Sequence, residues 1–151
     1  MTLLKRHADA IQAAASIVTA AMAVLAVVGV LAKMRAADAT SRAQTAREAY
    51  AAHLALAAAM PDFAAPADTC TLLASTKGPE YEAYVGHLLY AAELMVEAET
   101  GWADTFQAAL EPHAGLICRD GGAGETDEMA ALLNGFRSEV CPAVPPCGTG
   151  G

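Results

Sequence analysis

The residues in this chain best able to do chemistry are its four cysteines and four histidines. The cysteines are Cys70, Cys118, Cys141 and Cys147; the histidines are His7, His53, His87 and His113. Thiols at these spacings can be bridged, bind zinc or stay free. His113 with Cys118, Cys141 and Cys147 supplies four zinc ligands in number, but without the tight Cys-x-x-Cys knuckle that fixes the geometry of structural sites. A thioredoxin-like centre also needs Cys-x-x-Cys, and Cys141 and Cys147 are further apart than that. An even set of cysteines at helix ends and in loops reads most simply as two disulfides formed in an oxidising compartment. Cys118 and Cys141 bracket the last expected helix, roughly 20 Å long. The stretch RDGGAGE (119–125) is long enough to fold back along it, at about 3.3–3.6 Å per residue. Cys118–Cys141 with Cys70–Cys147 is therefore the expected pairing; Cys70–Cys118 with Cys141–Cys147 needs less chain travel and stays open.

The other constellations are weaker. His53 and His87 read as half-buried helix residues, with axial haem ligation as the functional alternative. A di-iron bundle needs Glu-x-x-His, and no histidine here has a glutamate three residues before it. GGAGE (121–125) resembles a fragment of a phosphate loop, but it follows a helix and lacks the Gly-Lys-Ser/Thr ending. Glu93, Glu97 and Glu99 read as a solvated face. No residue is assigned to catalysis, to a cofactor or to a metal.

The element that positions all of this is Ile11–Ala32, IQAAASIVTAAMAVLAVVGVLA. It carries no charge, and at 1.5 Å per residue it covers roughly 30 Å, the hydrocarbon thickness of a bilayer. Only a helix satisfies its own backbone in lipid. The expectation is one transmembrane helix after a short tail (1–10). It is an uncleaved signal anchor, because the apolar run is too long for a signal peptide and Lys33-Met34-Arg35 crowds the cleavage zone. Ala15, Thr19 and Ala23 recur every four residues, a stripe on which a second membrane helix could pack closely.

Beyond the span, residues 33–60 contain neither Gly nor Pro and are rich in strong helix formers. The helix is expected to run unbroken to Met60, where Pro61 ends it, with Ala46, Tyr50, His53, Leu54 and Ala57 facing inward. Residues 61–78 read as a connection. Pro79 opens a central helix whose inner face is Tyr81, Tyr84, Val85, Leu88, Leu89, Ala92, Met95 and Val96, and Thr100-Gly101 ends it. A third helix, Trp102–Cys118, carries Pro112 as a kink. Thr126 caps a fourth helix with Met129, Leu132, Leu133, Phe136 and Val140 on one side. The tail 141–151 is too rich in Pro and Gly for regular structure. The expected fold is thus all-α: a long N-terminal transmembrane helix continuing into a small four-helix bundle-like domain (33–140).

The run Tyr81-Glu-Ala-Tyr84-Val, then Leu88-Leu-Tyr90-Ala-Ala-Glu93, then Trp102, Leu110 and His113 resembles a loose group of small bacterial membrane proteins. They share one N-terminal span, an Ala- and Arg-bearing helix and a short helical domain. The resemblance covers residues 11–118 and implies that architecture; it carries no activity with it. The four cysteines and the Pro-rich tail depart from the pattern.

Composition narrows the function. The net charge is −8, with 55% hydrophobic and 5% aromatic residues. Nearly all the acid follows Asp38, which argues against nucleic acid, whose binders cluster Lys and Arg. The expected role is non-enzymatic: an accessory or scaffolding subunit of a larger inner-membrane complex, respiratory or photosynthetic, with other transmembrane subunits and lipid as partners. The alternative is a membrane-anchored sensor with a ligand pocket lined by Tyr81, Tyr84, Trp102 and His113. Cysteine usage favours a periplasmic domain. Lys33, Arg35, Arg42 and Arg47 after the span favour a cytoplasmic one.

Overall fold

The computed structural model describes residues 2–120, 124, 126–145 and 147, with side chains from Val18 onward except Ala20. Helix is the regular structure of the described residues, and no strand occurs among them. The chain divides into two compact units, Met1–Thr40 and Ser41–Gly151.

The first helix, α1, runs Thr2–Ala59 without a break, so the expected tail 1–10 has helical backbone from Thr2. The absence of Gly and Pro from 33–59 removes every local reason to stop. Described side chains from Val18 to Met34 are exposed around the helix, including Met22, Leu25, Val28 and Leu31. Among the described residues no helix is long and apolar enough to cross a membrane. The side chains of 11–17 and of Ala20, part of the expected span, lie outside the described residues. The continuous described part, 21–32, covers about 18 Å, well short of a bilayer.

In the second unit, α1 contributes a stripe of Ala46, Tyr50, His53 and Ala57 to the core. Leu54 does not join it and is 51% exposed; Leu56 packs there instead. Both flank the stripe, about 80° to either side of its centre at 100° per residue, so helical period alone cannot choose between them.

The expected connection 61–78 holds two short helices, α2 (Pro61–Ala64) and α3 (Thr69–Ala74). Phe63 of α2 is buried against Tyr81 and Tyr84. Asp68 caps α3 by accepting the Thr71 N–H at 3.0 Å. The central helix α4 is Gly78–Ala98, and its buried residues are Gly78, Tyr81, Tyr84, Val85, Leu88, Ala91, Ala92 and Met95. Gly101, at φ +92°, makes the turn that follows, in a conformation that costs other residues strain.

Pro112 does more than kink the third helix. It breaks it into α5 (Ala103–Leu110), a 3₁₀ turn Glu111–His113 and α6 (Ala114–Asp120). Proline lacks the N–H that an α-helical bond would use, and the tighter turn accommodates the loss. The carbonyl of Pro112 accepts the Thr69 hydroxyl at 3.1 Å, joining this break to α3. The last helix, α7 (Asp127–Glu139), is capped by Thr126, which accepts the Met129 N–H at 3.2 Å. Met129, Leu132, Leu133 and Phe136 are its buried residues. The tail is not wholly irregular: Cys141–Ala143 form a 3₁₀ turn that continues from α7.

Gly78 is required by packing. A Cβ there would stand 2.5 Å from the Leu73 carbonyl oxygen, a backbone atom that cannot swing away. Gly78→Ala is expected to destabilise the domain by about 1–3 kcal/mol. Gly135→Ala in α7, with nothing within 4 Å of its Cβ, should instead gain about 0.5–1 kcal/mol. Urea unfolding of both variants checks this; equal shifts would mean that α3 and α4 do not approach as described.

Candidate functional site

The chemically capable side chains of the second unit gather in one internal cluster. His53 comes from α1, Tyr81, Tyr84 and His87 from α4, Phe63 from α2 and His113 from the 3₁₀ turn after α5. The order of the rings is a ladder. His87 stacks on His53 with centroids 5.8 Å apart and planes 20° apart. His53 lies 5.1 Å from Tyr84, Tyr84 lies 5.8 Å from His113, and His113 lies 5.7 Å from Tyr81. The helical repeat explains why α4 supplies three of these groups. Positions 81, 84 and 87 advance three residues at a time and stay near one face.

Burial sets the electrostatics. Tyr81 and His113 are 0% and 1% exposed, and Tyr81 Oη and His113 Nδ1 share a hydrogen bond of 2.8 Å. Loss of solvent pushes the His113 pKa down to about 4, and the charge of His53 pushes it the same way. Burial also lowers His53, with His87 adding to the effect. The phenols of Tyr81 and Tyr84 are raised by burial. All of these groups are therefore uncharged at neutral pH, and this part of the site is a set of neutral rings. Nδ1 of His53 and Nδ1 of His87 are buried without a hydrogen-bond partner.

The residues expected to line a sensor pocket lie against other rings. Tyr81, Tyr84 and His113 are packed ring to ring, and Trp102 is half-buried 5.3 Å from Tyr50 and 6.0 Å from Phe106. Two grooves lie elsewhere. One, of about 490 Å³, is bordered by Leu89, Tyr90, Glu93 and Met129. The other, of about 190 Å³, is bordered by Glu82, Leu89, Leu116 and Leu133.

The cysteines are paired. Cys70 of α3 bonds Cys147, with Cα atoms 5.1 Å apart, and Cys118 of α6 bonds Cys141, with Cα atoms 5.6 Å apart. Both separations suit a disulfide. Of the two pairings left open by the sequence, the structure has Cys70–Cys147 with Cys118–Cys141. Bridged sulfurs have no thiolate to offer zinc, so His113 with Cys118, Cys141 and Cys147 is not a metal site. No group of three or more metal-ligating side chains occurs among the described residues. Gly115 lets α6 approach α3 closely: a Cβ there would meet Thr69 at 3.0 Å and Cys147 Sγ at 3.5 Å.

Other expected positions fare unevenly. Ala15 of the small-residue stripe lies outside the described side chains, as does His7; Thr19 and Ala23 are exposed. Of GGAGE only Gly124 is described. The acids on α4 and at the residue that ends it are engaged in more than solvation. Glu97 pairs with Arg42 at 3.6 Å, Glu99 pairs with Arg47, and Glu93 accepts the Thr126 N–H at 2.8 Å. These contacts join α1 and the start of α7 to the central helix. Glu97 is exposed, as the wet side of α4 requires, while Glu93 and Glu99 are half-buried. Sequence reading had no means of matching Glu97 and Glu99 to arginines some fifty residues away.

Compared with known protein families, curated proteins and solved structures, the chain matches none.

Proposed function

We propose that this protein is a non-enzymatic, membrane-anchored accessory or scaffolding subunit of a larger inner-membrane complex. The observation that carries the reading is α1. It is one continuous helix whose described side chains between Val18 and Met34 present Val, Leu and Met to the surroundings on all sides. An apolar surface of that kind on a single helix has no stable existence in water and marks a membrane or protein contact. Together with residues 11–17, it makes the length a bilayer needs. The packed ring ladder supports a scaffold over a sensor, because the residues proposed to line a ligand pocket fill their own space.

The domain is assigned to the periplasm. The two bridges support this side, since disulfides persist in oxidising compartments. The basic residues Lys33 and Arg35 count toward the opposite orientation, although long C-terminal domains cross membranes largely regardless of flanking charge.

Expression of the full chain in a bacterium, followed by alkaline carbonate washing of the membranes, tests the anchor. The protein should stay with the membrane and need detergent for release. A Val24→Lys/Val28→Lys variant should move to the soluble fraction, since a charge at a helix centre costs about 2.5–3.5 kcal/mol to insert. Recovery of the unaltered chain in the soluble fraction would overturn the anchor. Alkylation of thiols before lysis tests the side: four free thiols would place the domain in the cytoplasm. Gentle detergent extraction should bring other transmembrane subunits with the chain, and its purification alone would remove the scaffold role.

A further inference from the structure

The histidine pair His53–His87 has no structural partner to explain it. His53 is 5% exposed, and Nδ1 on each ring is buried with no hydrogen bond. A neutral imidazole can leave one nitrogen as an empty acceptor. An imidazolium cannot, because both nitrogens then carry N–H donors. Proton uptake by His53 would put a buried donor with no acceptor on its ring, stacked on a second imidazole with centroids 5.8 Å apart.

We propose that the contact of α1 residues 46–57 with α4 is an acid-sensitive latch, closed while the buried His53 is uncharged and opened when it takes up a proton against the stacked His87 ring. The inference rests on the packing of the second unit alone and is independent of the membrane reading.

The surroundings offer no relief to the charge. From α4, His53 meets His87 and Tyr84; through Tyr84 it faces His113 of the 3₁₀ turn. His113 is itself a base bonded to Tyr81. From α2 the neighbour of Tyr84 is Phe63, which is apolar, and the acid of that helix, Asp62, is exposed. The acids that do join α1 to α4, Glu97 and Glu99, are committed to Arg42 and Arg47. The titratable rings stacked on His53 among the described residues are thus a base and a phenol, neither of which supplies a negative charge near neutral pH.

The sign follows from burial. The pKa of His53 is lowered in the folded chain. The unfolded chain therefore binds more protons below the ordinary value of 6.5, and stability is lost as pH falls through that value. His113, pushed down to about 4, prolongs the loss toward lower pH.

The chain carries its own reporter. Its one tryptophan, Trp102, packs edge-on to Tyr50 of α1 at 5.3 Å. Its indole N–H donates to Glu99, the partner of Arg47. Opening the latch removes Tyr50 and uncovers the indole.

The experiment is a titration of the full chain in detergent from pH 7.5 to 5.0. It is read by Trp102 emission and by amide exchange of residues 46–57, corrected for the intrinsic pH effect. The expected result is a red shift of Trp102 and a loss of protection in 46–57 of at least about tenfold, while α7 stays protected. His53→Phe and His87→Phe keep a ring and remove the charge, so each should lower the midpoint and the pair should abolish the transition. His87→Gln serves if the Phe variants do not fold. Unchanged emission and exchange in the unaltered chain while its imidazoles titrate by NMR would overturn the latch. So would a transition that persists in both His87 variants at the original midpoint. A transition that copper or zinc reverses would assign the pair to metal binding and also overturn it.

Discussion

Removing the Cys70–Cys147 bridge, by Cys70→Ala with Cys147→Ala, is expected to lower the stability of the domain by about 4–5 kcal/mol. The bridge closes a sequence separation of 77 residues. The loop-entropy relation gives about 4.5 kcal/mol for a loop of that size and about 3.4 kcal/mol for the separation of 23 closed by Cys118–Cys141. The smaller loop lies inside the larger. Once Cys118–Cys141 is formed, the chain left for Cys70–Cys147 to constrain is shorter, so removing both costs less than the two losses added. Native contacts set the lower bound. Cys147 also sits against Gly115 of α6, so losing the bridge frees the tail from α3 and from α6 together. Thermal unfolding of the full chain should show a midpoint lowered on the order of 15 °C. A shift below about 1 kcal/mol would mean that the tail is not tied to α3.

The second large effect is expected at Phe106. It is 0% exposed, sits 5.4 Å edge-on to Tyr50 and 6.0 Å from Trp102, and so joins α1 to α5. Phe106→Ala should cost about 3–5 kcal/mol, the transfer of a large ring plus the cavity it leaves. Trp102 emission should report the cavity directly. Leu54→Ala is the control, since Leu54 is 51% exposed and exposed substitutions away from special features stay within about 0.5 kcal/mol. Equal losses at Phe106 and Leu54 would show that the inward face of α1 is misplaced.

Much of this architecture was legible in the chain because its causes are local. The absence of Gly and Pro from 33–59 makes α1 continuous. Thr126 with Asp127 and Glu128 in the first turn starts α7 where a cap and the helix dipole favour it. The inner faces of α4 and α7 follow from a 3.6-residue period and a hydrophobic stripe. Where a boundary depended on more than one residue's preference, the reading was coarser. Residues 61–78 looked like a loop because two short helices give no periodicity, and each is held by tertiary contacts: Phe63 on Tyr81, and Thr69 on Pro112. The break at Pro112 was visible, but its depth depended on the 3₁₀ turn finding partners.

The candidate site was the least legible part. His53, His87 and His113 are widely spaced in the chain, and each alone reads as an ordinary helix residue. Position 53 on the α1 stripe and positions 81, 84 and 87 on α4 were each available from helical period. That the two faces meet, with Nδ1 of both imidazoles buried and unpartnered, was not. The same holds for Arg42–Glu97 and Arg47–Glu99, since charge pattern within one helix says nothing of a second helix. By itself, then, the sequence determined that the chain is helical, where α1 ends and where α4 and α7 start and stop, which of their faces are apolar, and that an even set of cysteines was free to pair. Tertiary structure alone decided which cysteines meet, that Leu56 and not Leu54 is covered, and that three histidines and two tyrosines share one ladder. The reason is physical. Propensity, capping and period act over a turn or two of chain, whereas a disulfide, a buried ring stack or an ion pair between helices exists only once distant segments have been packed together.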